Sequence, residues 1–379
     1  MLAASKVEFV KYFKEIHDSR DDGRTLYPLH EVIFLTIVAV LCGAESWGSI
    51  IKFAKVKSDW LRRFFPFENG FPSKSTLSRM YGLIDKKYFE SWLTTWSQEL
   101  FSNFKNEILA LDGKSLNGKG KFSTKFQASH LVSLFATEMG VVLAQTSIDE
   151  KSNEIPAMKQ LLQQTDLSNS TVTIDAMGCQ KEISAIIREK NGDYFLAVKE
   201  NQKFLHEMVE EYFSLNDSAQ LSNYYTVDKG HGRIEERLCV YSNDVNFLKL
   251  DHGDWQDLRN IVMVESKRHI KGEIETNRRY YISSHQETCA EFLLNCSRKH
   301  WGIENQLHWI LDVEFNEDKS LIRQDNAAEN MGIVRKVVLN MIKQYQKKTG
   351  CKDGVKLLRQ SATWDIGVAE DILSAWEVN

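Results

Sequence analysis

Two short apolar runs that each end on an aspartate constrain this chain more than any other feature. Ile108-Leu109-Ala110-Leu111 stops at Asp112-Gly113, and Thr171-Val172-Thr173-Ile174 stops at Asp175. A short apolar run bounded by turn residues reads as a strand buried on both faces. An aspartate beside a small residue reads as the turn that ends it. Between the runs, His130–Thr137 and Val141–Ile148 read as strands joined by a Met139-Gly140 hairpin turn, and Asn153 as the cap of a helix reaching Gln164. A helix over Gln180–Lys190 then leads to a fifth strand, Tyr194–Lys199. Three strands, helix, strand, helix, strand predicts an α/β domain, a mixed sheet with flanking helices and at least one right-handed parallel crossover.

The rest of the chain divides around that unit. Residues 1–104 read as an N-terminal all-helical domain, with helices over Leu29–Leu41, Trp47–Phe65, Lys74–Ile84 and Tyr88–Phe104. Ser73 caps the third, whose first turn carries Ser75, Thr76, Lys74 and Arg79 and has the make-up of a DNA-reading helix. Residues 201–285 read as a strand-rich insertion, with one helix near Lys203–Phe213 and strands over Arg237–Tyr241, Asn260–Ser266 and Arg279–Ser283. The catalytic domain is expected over 105–200 and 286–379, helical from Ala290 to about Leu311 and again from about Ala327 to Gln346.

Composition narrows the function classes. With 42% hydrophobic and 26% charged residues the chain is an ordinary globular protein, and its 4 prolines leave no long linker. The longest apolar run, Val32–Cys42, is broken by Thr36 and falls short of the ~20 residues a membrane span needs. No signal peptide is recognised, and the six cysteines form no CxxC pair, which predicts free thiols in a reducing cytoplasm. A net charge of −4 argues against coating nucleic acid by bulk charge. Two local basic segments remain: lysines 114, 119, 121 and 125, and the eight cations from Arg335 to Arg359. They read either as a DNA-facing surface or as solvated faces.

The chemistry-bearing residues fall in two places. Asp112 and Asp175 at neighbouring strand ends would bring two carboxylates together, a placement that repels unless a cation lies between them. Oxygen-only ligands suit Mg²⁺ or Mn²⁺. Either aspartate alone is also ordinary turn chemistry. On the later helix, His300, Glu304, His308 and Asp312 step by four, so they trail along one face with about 40° of drift per step. A zinc reading through His300 and His308 competes, although those rings lie roughly 12 Å apart along a helix, unlike the i, i+4 pair of zinc proteases. A purely structural polar stripe is the third possibility.

A more specific signal comes from seven blocks in order. They are Ala110-Leu111-Asp112-Gly113-Lys114-Ser115-Leu116, Asp149-Glu150-Lys151-Ser152-Asn153-Glu154-Ile155, Thr173–Gln180, Ala197–Gln202, His231-Gly232-Arg233, Tyr280–Ser284 and His300–Trp309. Together they resemble the insertion-sequence transposases that include the H-repeat-associated proteins. The resemblance implies a ribonuclease-H-like core with a DDE triad on Asp112, Asp175 and Glu304, binding Mg²⁺ or Mn²⁺. It further implies cleavage and strand transfer at element ends, with double-stranded DNA, end and target, as partner and a homo-oligomer on that DNA. Broader relatives carry a tyrosine and an arginine before the glutamate and a lysine after it, where this chain has Ser297, His300 and Leu311. Arg298, Lys299 and His308 are therefore the local candidates for DNA contact, with Lys114, Lys199 and Arg233 from the other blocks. A nuclease that cuts without joining, and a catalytically silent DNA-binding descendant, are the alternatives.

Overall fold

The computed structural model describes residues 18, 20, 25–101, 106–116, 129–148, 153–230, 233–248, 255–270 and 273–375. Helices α1 (Leu29–Leu41), α2 (Trp47–Val56), α3 (Ser58–Leu61), α4 (Lys74–Leu83) and α5 (Lys86–Leu100) precede the sheet. The helix expected over Trp47–Phe65 is thus split at Lys57. Ser73 and Asp85 cap α4 and α5 by accepting from Thr76 N and Lys87 N.

Nine strands then form one sheet: β1 (Ile108–Leu116), β2 (Ser129–Ala136), β3 (Val141–Ser147), β4 (Thr171–Ile174), β5 (Asp193–Val198), β6 (Ser222–Gly230), β7 (Arg233–Ser242), β8 (Asn260–Ile270) and β9 (Glu273–Ser283), in the order β3-β2-β1-β4-β5-β9-β8-β7-β6. The first five are the ribonuclease-H-like part, with β2 antiparallel to β1 and β3, and β1, β4 and β5 parallel. Helices α6 (Glu154–Gln164) and α7 (Lys181–Glu189) make the crossovers, and Asn153 caps α6. The hairpin turn at Met139-Gly140 places Gly140 at φ +70°, where a side chain would be strained.

The strand-rich stretch is a continuation of the sheet, because β9 pairs antiparallel with β5. It holds α8 (Lys203–Leu215) and four strands, one of which, β6, has no clear sequence signal: its exposed and half-buried residues give no apolar run. Helix α9 (Ala290–His300) buries Leu293, Leu294 and Cys296 in a core shared with Ile108, Phe195, Cys239, Val262 and Tyr281. One small core therefore ties α9 to β1, β5 and the added strands at once.

After α9 come α10 (Trp309–Val313), α11 (Ala327–Thr349), α12 (Val355–Trp364) and α13 (Ile366–Ser374). These close on the beginning of the chain. Asn330 donates to Tyr81 O and Ile84 O, Arg359 to Val40 O at 2.9 Å, and Thr363 to Cys42 O. The N-terminal helices and α11–α13 thus share one apolar core, which also takes in β3.

Candidate active site

The sheet has a step at its centre. Leu111 on β1 pairs with Ile174 on β4, the last residue of that strand, so Asp112 and Asp175 follow one matched pair on adjacent parallel strands. Strands lie about 4.8 Å apart. Here β4 turns away into a 3₁₀ turn, Ala176–Gly178, capped by the Asp175 carboxylate. The expected turn at Asp112-Gly113 is absent: β1 runs on to Leu116, because β2 pairs with it there through Ser129–Leu131. Gly178 is required by close approach, since a Cβ would lie 2.2 Å from Ile174 Cγ2.

The third acid arrives on a distorted helix. The single helix expected from Ala290 to Leu311 is broken into α9, a π turn over Ile303–His308, and α10. Trp309 N–H donates to Glu304 O, five residues back. The wider π winding drifts opposite to the α-helical stripe and still keeps Glu304 and His308 on one side; such turns recur at functional sites. Oxygens of Asp112 and Glu304 and a ring nitrogen of His308 all lie within 4.8 Å of one another, a group that could hold a metal ion. Asp175 is outside that group, but its charge bears on Asp112, Glu154 and His300.

The electrostatics follow from burial. Desolvation pushes Asp112 up to about 7; the Gly113 N–H, at 2.8 Å, opposes this, and the charges of Asp175, Glu304 and Glu154 add to it. His308 Nδ1 is 3.8 Å from Asp112 Oδ2. That contact is not an ion pair: burial, with Lys114 and Lys336 nearby, pulls His308 down to about 3, so the ring is neutral at pH 7. Glu154, the first residue of α6, is a fourth carboxylate at the site. A Cβ on Gly113 would fall 2.6 Å from its carboxyl group, so the glycine makes room for it. Its only individual signal in the sequence was its place in the second resemblance block.

The other expected residues disperse. Lys114 points into the protein, its side chain 12% exposed, with an ion pair to Asp312 and another to Glu317 Oε2 at 3.0 Å. Its expected DNA contact is thereby replaced by internal pairing: Glu317, itself buried, takes Lys114 and Arg335. Arg335, Lys336 and Arg359 of the basic C-terminal segment are likewise buried, so that segment is not one continuous surface. Lysines 119, 121 and 125 lie outside the described residues, as do Asp149–Ser152, His231 and Gly232. Lys199 is exposed just after β5. Lys299 pairs with Glu138 at 2.7 Å. Arg233 and Arg298, far apart in sequence, meet in one cleft between β6, β7 and α9 together with Arg237. Asp228 and Glu235 pair with them there, and Arg279 lies 4.9 Å over the Trp301 ring at its edge. His300 is held by Thr173 Oγ1 at 3.2 Å, below the site.

Two aspartates on adjacent parallel strands, with a glutamate from a late helix close to one of them, form an arrangement that sequence comparison places in a family. Residues 103–341 match the family described as Transposase DDE domain, and residues 10–97 match DDE_Tnp_1-associated. The chain belongs to the DDE transposase family. It is 38% identical over 372 residues to "Putative transposase YncI" of Escherichia coli O157:H7, covering 96% of this chain and 94% of that one. It is 36% identical to "H repeat-associated putative transposase YhhI" of Escherichia coli strain K12, covering 88% and 90%. The piggyBac transposase synaptic complex with hairpin DNA overlaps 99% of this chain and 77% of its own, at a TM-score of 0.43 and 9% identity, too loosely to bear on function. No helix among the described residues is long and apolar enough to cross a membrane.

Proposed function

We propose that this protein is an active transposase that cuts DNA at the ends of an insertion sequence and joins those ends to a target, with Asp112, Asp175 and Glu304 as its catalytic acids. The observation that carries the reading is the convergence of Asp112 and Glu304 from distant segments at the step between β1 and β4, with Asp175 on the adjoining strand. Nothing in a stable core requires a carboxyl raised by burial and by three acidic neighbours, and such perturbed groups concentrate at functional sites. Hard oxygen donors fit Mg²⁺ or Mn²⁺, which Asp112, Glu304 and Asp175 would hold. Two such ions supply charge neutralisation for the attacking and leaving oxygens of an in-line displacement at phosphorus.

The chain's own part is placement. The strand register sets Asp112 and Asp175 on adjacent strands, and the π turn carries Glu304 to within reach of Asp112. Lys114, through Asp312, ties α10 to β1 and so holds the glutamate's helix at a set distance. Lys199, Arg233 and Arg298 are assigned to the DNA backbone, contacts that fix register rather than read sequence. The reading includes double-stranded DNA as partner, more than one copy of the chain on it, and residence in the cytoplasm. The test is nicking and joining of supercoiled plasmid carrying the element's ends. Activity with Mg²⁺ or Mn²⁺ that disappears in EDTA and in Glu304→Gln supports the reading. DNA binding without any cleavage would make the protein a silent descendant, and cleavage without joining would make it a nuclease.

A further inference from the structure

We infer that His308 is a ligand of the metal position shared by Asp112 and Glu304, which makes that position a mixed oxygen and nitrogen site preferring Mn²⁺ to Mg²⁺. The inference rests on the metal-dependent reading above and adds to it a residue and an ion preference.

Geometry comes first. Two atoms bound to one small divalent ion at about 2.1 Å lie about 3 Å apart when adjacent and about 4.2 Å when opposite. His308 Nδ1 and Asp112 Oδ2, at 3.8 Å, already fall within that span. The three ligand atoms lie within 4.8 Å of one another, so closure requires roughly half an ångström at most.

The ring's surroundings supply the second observation. His308 is 8% exposed, and its Nε2 is sealed from solvent with no hydrogen-bond partner among the described residues. The approach of Nδ1 to Asp112 is too long to be a hydrogen bond. The other buried or half-buried histidines near the sheet are held differently. His285 has Thr171 Oγ1 at 3.0 Å and Ser283 Oγ at 2.7 Å, and His300 has Thr173 Oγ1 at 3.2 Å. Those rings are fixed by polar neighbours within the protein; His308 is fixed by packing alone, with one nitrogen turned to the acids. Glu304 and His308, four residues apart in the π turn, lie on one side of it, so both can face Asp112.

Imidazole distinguishes the candidate ions. Mg²⁺ is satisfied by carboxylate and water, whereas first-row transition ions, beginning with Mn²⁺, accept nitrogen more readily. The experiment is isothermal titration of the full chain with MnCl₂ and with MgCl₂, for wild type, His308→Gln and Asp112→Asn, beside electron spin-echo spectroscopy of the Mn²⁺-loaded wild type. His308→Gln is expected to weaken Mn²⁺ binding about tenfold or more and Mg²⁺ binding by less than about threefold. The wild-type spectrum is expected to show a directly coupled nitrogen that His308→Gln loses. Absence of that coupling in wild type, or its persistence in His308→Gln, overturns the assignment even if the variant misfolds. If Asp112→Asn binds both ions as wild type does, the metal reading beneath the inference fails with it.

Discussion

Replacing Asp112 by asparagine should make the metal-free protein more stable while abolishing its cleavage. The carboxyl is held at about 7 in the folded chain, against an ordinary value of 3.8. A group raised on folding binds its proton more tightly in the native state. Its ionisation therefore subtracts stability as pH climbs from about 4 to about 7, and the loss is complete above that. At about 1.4 kcal/mol per pH unit, the interval amounts to about 4 kcal/mol, a large share of a typical domain's total. Asparagine keeps the shape and the acceptor for the Gly113 N–H, and it carries no charge to desolvate. Urea denaturation in EDTA at pH 4, 6 and 8 measures the effect. The variant should gain about 4 kcal/mol over wild type at pH 8, and the difference should shrink below about 1 kcal/mol at pH 4. Glu90, also raised by burial, does not interact with Asp112, so it titrates in both proteins and leaves the comparison intact. A variant less stable than wild type at pH 8, or a difference independent of pH, would refute the argument that this carboxyl is confined among like charges.

Three further outcomes are expected. Glu317→Gln removes the buried counter-charge of Lys114 and Arg335 and should cost about 3–5 kcal/mol in urea unfolding, because stranded buried cations are the expensive case. Gly178→Ala should displace the turn that Asp175 caps, since the new methyl lies 2.2 Å from Ile174 Cγ2; nicking should fall far more than end-DNA binding measured by gel shift. Lys199→Glu and Arg298→Glu should each lower the slope of log affinity against log salt by about one, without altering which sequence is preferred. A changed preference would reassign that residue to base contact.

Local pattern made much of this legible. The spans Leu29–Leu41 and Thr171–Ile174 follow from apolar runs alone, and the cap at Asn153 from one side chain. What lay beyond the pattern was set by partners distant in the chain. β1 outruns its apolar segment because β2 supplies hydrogen bonds past Asp112, and no composition of Lys114-Ser115-Leu116 announces that. The π turn leaves the stripe of His300, Glu304, His308 and Asp312 unaltered in sequence while changing where each points. The cations at 335, 336 and 359 look like a solvent face when counted; burial and the partners Glu317, Gln145 and Val40 O make them internal braces. Charge runs report composition, and only packing decides which charges meet water.

The closure of α11–α13 over the first helices has a consequence for how the molecule is made. Cys42 and Ala362, bonded at 3.4 Å, are separated by 320 positions, and the Arg359 to Val40 bond by 319. While a nascent chain emerges, α1, α4 and α5 can pack on α2 and β3 but still lack the cover that α11–α13 supply. Contacts of such long separation form late and slowly. The N-terminal core is therefore completed only when the two ends of the fold have met.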